Sequence, residues 1–407
     1  MNNDVPAPEI SRNLAFATLT GVTAVQVIAT MAMLIPAAIA PEIAATLDLP
    51  VSMIGFQISL AYVGATLMSL AAGLVQRRLG AVRANQLAAF IICMSLSVIA
   101  VPHVAMLSIG TVGIGVAYGL TNPAAAHLMM KIATSANRNL IFSIKQTGQP
   151  MGGVVAGLVA PPIAVAFGWQ YSLLAGAALA FVVMLLIQPL RWRLDGDRDP
   201  KTRFRGAAFR DLGLVLRIRN LRLMALSGLS LAAVQLALMG FAVAMLAGEI
   251  ELDLVTAGIG LAVIQVAGVL GRLGWGAMAD RGGHARGTLI VSQLISVAAA
   301  IMTAFLAPGM PLEVIFAVLF LFGFTAVGWN GVFMAEVARM SPPDKIGSAT
   351  GGVLVMVFIG VMIGPMLFTG IHEVLGQYTA SFAAIAVVTL IGILPLLVIG
   401  RTAEKTG

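Results

Sequence analysis

Charged side chains are scarce in this sequence, since only 10% of its 407 residues are Asp, Glu, Lys or Arg. Soluble domains carry about a quarter. A soluble chain of this size needs far more polar surface to cover its core, so the composition excludes an ordinary soluble globular protein. Hydrophobic residues make up 59% of the chain, and a lipid bilayer is the solvent that accommodates such a surface.

Cysteine is almost absent as well, because Cys93 is the single one in the sequence. One cysteine excludes an intrachain disulfide and a thiolate metal cluster. The four histidines are scattered, no nucleophile lies at a useful spacing from a base, and no phosphate-binding loop sequence occurs. We therefore predict that the protein is not an enzyme, holds no metal or cofactor, and does not hydrolyse ATP.

Long hydrophobic runs are the dominant feature of the chain. A helix needs about 20 apolar residues to cross the bilayer, and the first run, 14–40, is too long for the core of a signal peptide. Twelve such runs predict twelve transmembrane helices. They are 14–40, 52–75, 84–101, 104–130, 139–163, 169–189, 221–247, 254–278, 287–307, 312–338, 346–371 and 378–400.

The charges between the spans are sorted by sign. Basic residues follow the even-numbered spans, as with Arg77, Lys131 and Arg281, whereas the odd-numbered connections hold acidic residues such as Asp48 and Glu249. Positive charge marks the cytoplasmic side of a membrane protein. The pattern predicts a multi-pass protein of a bacterial inner membrane with both termini in the cytoplasm.

One long polar segment divides the chain. Residues 190–222 hold ten Lys or Arg and four Asp, which favours a cytoplasmic linker with a surface helix at 206–220 over a nucleic-acid-binding segment. We predict an N-terminal six-helix bundle at 1–189, a linker at 190–220 and a C-terminal six-helix bundle at 221–407.

The two halves repeat each other. The sequence Gly73-x-x-x-Arg77-Arg78-x-Gly80 after span 2 is echoed by Gly276-x-x-x-Asp280-Arg281-x-Gly283 after span 8. The second copy resembles the signature loop of the major facilitator superfamily, although the first copy has Arg77 where that family usually has Asp. The resemblance covers the whole chain. It implies an all-α membrane protein with the major facilitator fold, in which two pseudo-symmetric six-helix bundles enclose a central binding cavity and rock to give alternating access.

Arg272 is the most informative charge inside the membrane, because burying it costs about 2.5–3.5 kcal/mol on insertion scales. A guanidinium is suited to a carboxylate. Gly271-Arg272-Leu-Gly-Trp-Gly276 is similar to helix 8 of monocarboxylate transporters and oxalate/formate exchangers, in which this arginine binds the anionic substrate. The alternative is an arginine that extends to the interface. The oxalate exchangers also carry a positive charge deep in helix 11, which this chain lacks.

Further side chains are predicted to complete a substrate site. Lys145 shares a polar stripe of span 5 with Gln149 and would add a second positive charge, unless it extends to the interface. The neutral polar candidates, each of which could instead bond a neighbouring helix, are Gln26, Tyr118, Asn122, Gln265 and Asn330.

Gating and coupling groups are expected at the cytoplasmic ends of the spans. Asp280 and Arg281 belong to the signature loop, and Glu336 is a predicted partner for Arg281 and Arg286 when that side closes. His127 and Glu336 are the titratable candidates for proton coupling.

The leading hypothesis is a carrier that moves a small organic anion, a carboxylate, by proton symport or exchange, and acts as a monomer. The alternative is a proton-coupled exporter of drugs or metabolites, because Gly148-Gln-Pro150-Met-Gly152-Gly153 loosely resembles an antiporter motif. Such exporters usually bury an acidic residue in the N-terminal half, and none occurs here. A carrier of a neutral substrate such as a sugar, and a membrane enzyme or sensor, are the further alternatives.

Overall fold

The computed structural model describes residues 11–133, 138–201, 208–282, 285–342 and 346–399. Twelve predominantly helical spans account for most of this part of the chain, and we number them α1 to α12. They are α1 (Arg12–Ala38), α2 (Ile54–Leu79), α3 (Ala81–Ile99), α4 (Val104–Ile132), α5 (Gly148–Phe167, preceded by a short helix Arg138–Gln146), α6 (Trp169–Leu186), α7 (Arg219–Gly248), α8 (Leu254–Gly282), α9 (Ala285–Thr303), α10 (Leu312–Ala326 continued by Asn330–Met340), α11 (Ile346–Leu375) and α12 (Tyr378–Val398).

The predicted number of membrane helices is confirmed within the described residues. Eleven of the described helical stretches are long and apolar enough to cross a bilayer, and α2 provides the twelfth as a pair of segments bent by 59°. Additional helices, Ala40–Leu47 after α1 and Ala208–Arg217 before α7, lie between spans. The second of these matches the surface helix predicted at 206–220, whereas the first was not predicted.

The packing of the helices repeats with the sequence. In the first half α1 packs on α5, α2 on α4 and α3 on α6, and in the second half α7 packs on α11, α8 on α10 and α9 on α12. Each pairing therefore recurs six helices later, which gives two pseudo-symmetric six-helix bundles. The bundles meet where α5 packs on α8 and α2 packs on α11.

Glycine permits the closest helix pairing of the first bundle. A Cβ atom on Gly115 of α4 would overlap the carbonyl oxygen of Ala61 in α2. Helices in lipid gain little from hydrophobic burial, so close backbone approach is what holds them together. The glycine content of the chain thus serves helix packing here.

The spans place one set of connections at each end of the bundles. We call the end with the linker and the connections that follow even-numbered spans the basic face, and the opposite end the acidic face. The acidic face carries Asp48, Glu249 and Asp253. Glu249 accepts hydrogen bonds from the backbone N–H groups of Tyr378 and Thr379, which begin α12.

At the basic face the start of the linker is fixed to the first bundle. Asp195 is 6% exposed, and its carboxylate accepts the backbone N–H groups of Val82 at 2.8 Å and Arg83 at 3.0 Å in the first turn of α3. Gly80 has φ +103° and leaves no room for a side chain beside Asp195. The linker thereby supplies the N-terminal cap that α3 lacks locally.

We expect Asp195→Ala to lower the free energy of unfolding by about 0.5–2 kcal/mol, because two N–H groups at the start of α3 lose their acceptor. The melting temperature of the purified protein checks this. Asp195→Asn, which keeps one acceptor oxygen on the same side chain, is the matched variant. A loss of stability from Asp195→Asn that equals the loss from Asp195→Ala would contradict the capping role.

Candidate binding site

A cavity of about 50 Å³ lies between the two bundles. Its walls combine polar groups with apolar and aromatic side chains from α1, α2, α4 and α5 of the first half and from α7, α8 and α10 of the second. The lining residues are Thr30, Met33, Leu34, Tyr62, Tyr118, Gln149, Pro150, Gln235, Met239, Gln265, Arg272 and Val327. Of the predicted substrate-binding residues, the structure brings Arg272, Gln149, Tyr118 and Gln265 together in this cavity.

Arg272 connects the two bundles at the cavity wall. Its Nη1 donates to the backbone carbonyl oxygen of Gln146 at 3.4 Å. That carbonyl is available because Pro150, four residues later, has no N–H to donate to it. The same proline explains why span 5, predicted as continuous over 139–163, is instead interrupted at Thr147.

The remaining donors of Arg272 include Nε, which is buried and has no hydrogen-bond partner among the described residues. A buried polar atom without a partner is uncommon in a folded protein and calls for an explanation. Here the atom belongs to a permanent cation that lines a cavity. An anion in the cavity would provide both the acceptor and the compensating charge.

Two more cavity groups have unpaired polar atoms. Thr30 Oγ1 on α1 and Gln265 Nε2 on α8 are buried without a hydrogen-bond partner in the described part of the chain. Gln26 lies one turn before Thr30 and is 1% exposed, and both polar atoms of its amide are likewise unpaired. Gln26 does not line the cavity, so its predicted contact with substrate stays a prediction.

Tyr62 of α2 and Tyr118 of α4 both line the cavity. Gln149 Nε2 donates to the Tyr118 hydroxyl at 3.1 Å. The ring of Tyr62 lies 5.8 Å from that of Tyr118 and 6.4 Å from that of Phe358 on α11. Sequence analysis missed Tyr62, because an aromatic residue inside a span has no pattern that separates a binding role from packing.

Lys145 and Asn122 lie together but outside the cavity lining. Lys145 Nζ donates to Asn122 Oδ1 at 2.7 Å and to Gln146 Oε1 at 3.4 Å, and the lysine is 5% exposed. The sequence predicted that Lys145 faces the cavity, whereas its amine is already bonded within the first bundle. A direct contact of Lys145 or Asn122 with substrate stays a prediction.

Asn330 is engaged within the second bundle. Its Nδ2 donates to Gln235 Oε1 at 3.4 Å, and Trp329 Nε1 donates to the same oxygen at 2.9 Å. These bonds lie at the interruption of α10, where Gly328 packs against Gly271 of α8. Asn330 therefore orients Gln235, which lines the cavity, and does not line it itself.

The predicted gating residues lie at the basic face. Glu336, which is 1% exposed, forms a two-pronged ion pair with Arg339 one turn later, at 2.6 and 2.8 Å. The expected partner, Arg281, is exposed, as is Asp280. Arg286, the other expected partner, donates to the backbone oxygen of Ile399. In this conformation Glu336 thus has a local partner, and its gating role stays a prediction.

His127 is bound to the linker. Its Nε2 lies 2.7 Å from Asp197 Oδ2, and Lys131 Nζ lies 2.6 Å from Asp197 Oδ1. Partial burial alone would raise the pKa of Asp197, but hydrogen bonds and charge from Lys131 and His127 lower it. A coupling role for His127 stays a prediction.

The lowered pKa of Asp197 gives this ion pair a pH dependence. A carboxyl whose pKa is depressed by folding stabilises the protein above its unfolded pKa, near 4, and loses that effect as the pH falls through the folded value. We expect Asp197→Asn to lower the melting temperature at pH 7 by a small amount, because the pair is exposed. The difference should shrink below pH 4, and a difference that grows on acidification would contradict this assignment.

The bundles are in contact in the acidic half of the molecule. A Cβ atom on Gly157 of α5 would lie 2.6 Å from the carbonyl oxygen of Gly258 in α8. Ser59 Oγ of α2 donates to the carbonyl oxygen of Met362 in α11 at 2.7 Å. These contacts join the two bundles on the acidic side of the cavity.

A partly polar cavity between two pseudo-symmetric helical bundles is the architecture of secondary transporters. A profile of the Major Facilitator Superfamily matches residues 22–264 and 223–407, and the chain belongs to this family. At the level of the family, it is a membrane transport protein rather than an enzyme.

Several known proteins are similar to this chain. The membrane sensor protein UhpC of Salmonella typhimurium (strain LT2) is 24% identical over 298 residues, which span 69% of this chain and 67% of that protein. The nucleoside transporter NupG superimposes with a TM-score of 0.79 at 16% identity, covering 96% of this chain and 100% of that one. A bacterial homologue of the human lysosomal transporter Spinster, in an inward-facing and occupied conformation, gives a TM-score of 0.76 at 16% identity, covering 97% and 99%. The structural similarities identify the fold alone.

Proposed function

We propose that this protein carries a small organic anion, a carboxylate, across a bacterial inner membrane by alternating access. The observation that supports the proposal is Arg272, the one charged group among the described residues that line the cavity. Its Nε is buried without a partner among the described residues, so binding an anion would satisfy it. Energy would come from proton symport or from exchange.

The cavity offers more than charge to such a substrate. Thr30 Oγ1 can donate or accept and Gln265 Nε2 can donate, and neither atom has a hydrogen-bond partner among the described residues. Tyr62 and Tyr118 supply apolar surface with a polar edge. We propose that a carboxylate binds Arg272 while a hydroxyl or carbonyl elsewhere on the solute meets Thr30 or Gln265.

The proposed orientation follows from the charges at the two faces. The basic face would be cytoplasmic by the positive-inside rule, with both termini on that side. Because the bundles are closed in the acidic half, the cavity would be reached from the cytoplasm in this conformation.

We propose the domain bounds 1–189, 190–220 and 221–407, and a monomer as the functional unit.

Thermal stabilisation by a panel of solutes tests the substrate class. The panel holds monocarboxylates, dicarboxylates, inorganic anions, sugars and lipophilic cations, each at equal concentration with the purified protein. A ligand that binds only the folded state raises the melting temperature, by an amount that corresponds to about 2.7 kcal/mol at 100 times its Kd. We expect a carboxylate to stabilise, whereas stabilisation by sugars alone would contradict an anion carrier.

A transport assay in vesicles distinguishes a carrier from a sensor, because a sensor binds its ligand without moving it across the membrane. Protein reconstituted into vesicles should exchange an internal for an external radiolabelled carboxylate. Binding without flux would support a sensor role of the kind named for the relative UhpC.

A proton-coupled exporter of drugs or metabolites is the second candidate. The observation that favours it is the share of apolar side chains in the cavity wall, which includes Met33, Leu34, Met239 and Val327. Stabilisation by lipophilic cations that is unchanged in Arg272→Ala would support this candidate over the carboxylate carrier.

A further inference from the structure

A second cavity, of about 270 Å³, lies on the membrane-facing side of the first bundle between α3 and α6. We call it the α3–α6 groove, and it is separate from the central cavity. Its lining residues are Gln86, Leu87, Phe90, Met184, Leu185 and Gln188. Phe90 is 46% and Leu185 is 53% exposed, so the groove is open on its outer side.

The groove has a polar end and an apolar end. Gln86 is five residues from the start of α3 at the basic face, and Phe90 is one turn deeper in the membrane. Gln86 Nε2 donates to the Met184 carbonyl oxygen at 3.1 Å and to Gln188 Oε1. The two amides thus bridge α3 and the end of α6 near the basic face.

Positive charge continues from the polar end of the groove. Arg191 lies three residues after Gln188 and begins the short helix Arg191–Leu194, which packs on α3. The Arg191 guanidinium lies 4.2 Å from the centre of the Trp192 ring, and Trp192 is 74% exposed. Tryptophan and arginine in this arrangement are typical of the membrane interface, where lipid headgroups lie.

The second bundle shows that the glutamines are not a requirement of the fold. Counting from the starts of α3 and α9, the equivalents of Gln86, Leu87 and Phe90 are Ile290, Val291 and Leu294. Counting from the starts of α6 and α12, the equivalent of Gln188 is Leu397. The same helix pairing is therefore built in the other half without these amides, which leaves the first half with a specific polar feature.

We propose that the α3–α6 groove binds one anionic glycerophospholipid. An acyl chain would pack on Leu87, Phe90 and Leu185. A glycerol ester oxygen would accept from Nε2 of Gln188, whereas both N–H groups of the Gln86 amide are already donated within the groove. The phosphate would pair with Arg191. The groove opens on the surface that faces lipid, so a lipid molecule is the ligand available to fill it. The positive charge of Arg191 favours a lipid with a negatively charged headgroup.

Native mass spectrometry of the purified full chain tests the proposal with phosphatidylglycerol and phosphatidylcholine of the same acyl composition. We expect the protein to retain one phosphatidylglycerol in preference to phosphatidylcholine. Arg191→Gln should lower that preference about fivefold, as expected for loss of one basic residue near a membrane surface. Arg191 lies outside the spans, so this variant keeps the proposal testable if changes within α3 impair folding.

Leu87→Trp should fill the groove and abolish retention of the lipid, and Val291→Trp at the equivalent position of the second half is the matched control. Gln86→Ile combined with Gln188→Leu, which copies the second half, should lose the preference for phosphatidylglycerol. Equal retention of both lipids by the wild type, or unaltered retention in Leu87→Trp, would overturn the proposal. Displacement of the lipid by inorganic phosphate alone would show an ion site and would overturn it as well.

Discussion

Arg272→Ala should lower the affinity for a stabilising carboxylate by about 10- to 150-fold, because a hydrogen-bonded charge contributes about 1.5–3 kcal/mol. The loss should appear in the Kd from thermal shifts and in the rate of exchange in vesicles. Neutral members of the solute panel should be unaffected. Among the described residues that line the cavity, Arg272 alone is charged, so none of the others can replace its contribution to binding an anion.

The substitution has a second, structural consequence that the controls must separate. Arg272 Nη1 bonds the Gln146 carbonyl across the two bundles, so alanine also removes a contact between α8 and α5. Arg272→Lys keeps the charge and one donor but not the planar fork that binds a carboxylate with two hydrogen bonds. We expect the lysine variant to lie between wild type and alanine in affinity.

Gln265→Leu serves as a comparison within the same cavity. It removes the unpaired Nε2 donor and leaves the charge in place, so we expect a smaller loss of carboxylate affinity than in Arg272→Ala. Carboxylate affinity that is unchanged in Arg272→Ala would contradict the anion carrier and return Arg272 to the role of a bridge between helices.

Much of the fold could be predicted from hydrophobic length and charge placement alone. Twelve apolar runs and the repeated signature loop identified the spans and the two bundles. The interruption of α5 could have been predicted from Pro150, because a proline frees the carbonyl four residues earlier. The hydrogen bond between this carbonyl, on Gln146, and Arg272 could not have been predicted from the sequence, because the two residues are 126 positions apart.

Only part of the binding site could be predicted, because the sequence does not show which residues meet across helices. Arg272 and Gln265 stand out because polar groups in a span are costly, and the structure places both in the cavity. Lys145 stands out equally, yet its amine is bonded to Asn122, which comes from another helix. Sequence patterns show which polar groups need a partner in the membrane, but the partner is chosen by tertiary packing.

Gly258→Leu should shift the protein away from the conformation described here. A Cβ atom on Gly258 would overlap the carbonyl oxygen of Gly157, and the contact joins α8 to α5 in the acidic half. Overpacking of this kind costs about 1–3 kcal/mol. The cost applies only while the acidic side is closed, so it corresponds to an increase of about 5- to 150-fold in the ratio of open to closed molecules.

A single introduced cysteine would measure this shift. Cys93 is the one native cysteine, so Cys93→Ser gives a background without thiols. Ile58 is 3% exposed, and its side chain packs beside Gly240 of α7 at the closed acidic side. Ile58→Cys should therefore react slowly with a soluble thiol reagent, and adding Gly258→Leu should raise the rate in proportion to the open population.

Gly370→Leu is the matched control, because Gly370 lies in the acidic half of α11 with open space where its Cβ would be. It should leave the labelling rate of the introduced cysteine unchanged. Equal acceleration by both substitutions would indicate general loosening of the helices rather than opening between bundles. No acceleration by Gly258→Leu would mean that the glycine contact does not hold the acidic side closed. An effect confined to Gly258→Leu would identify the α5–α8 contact as an element that alternating access must break.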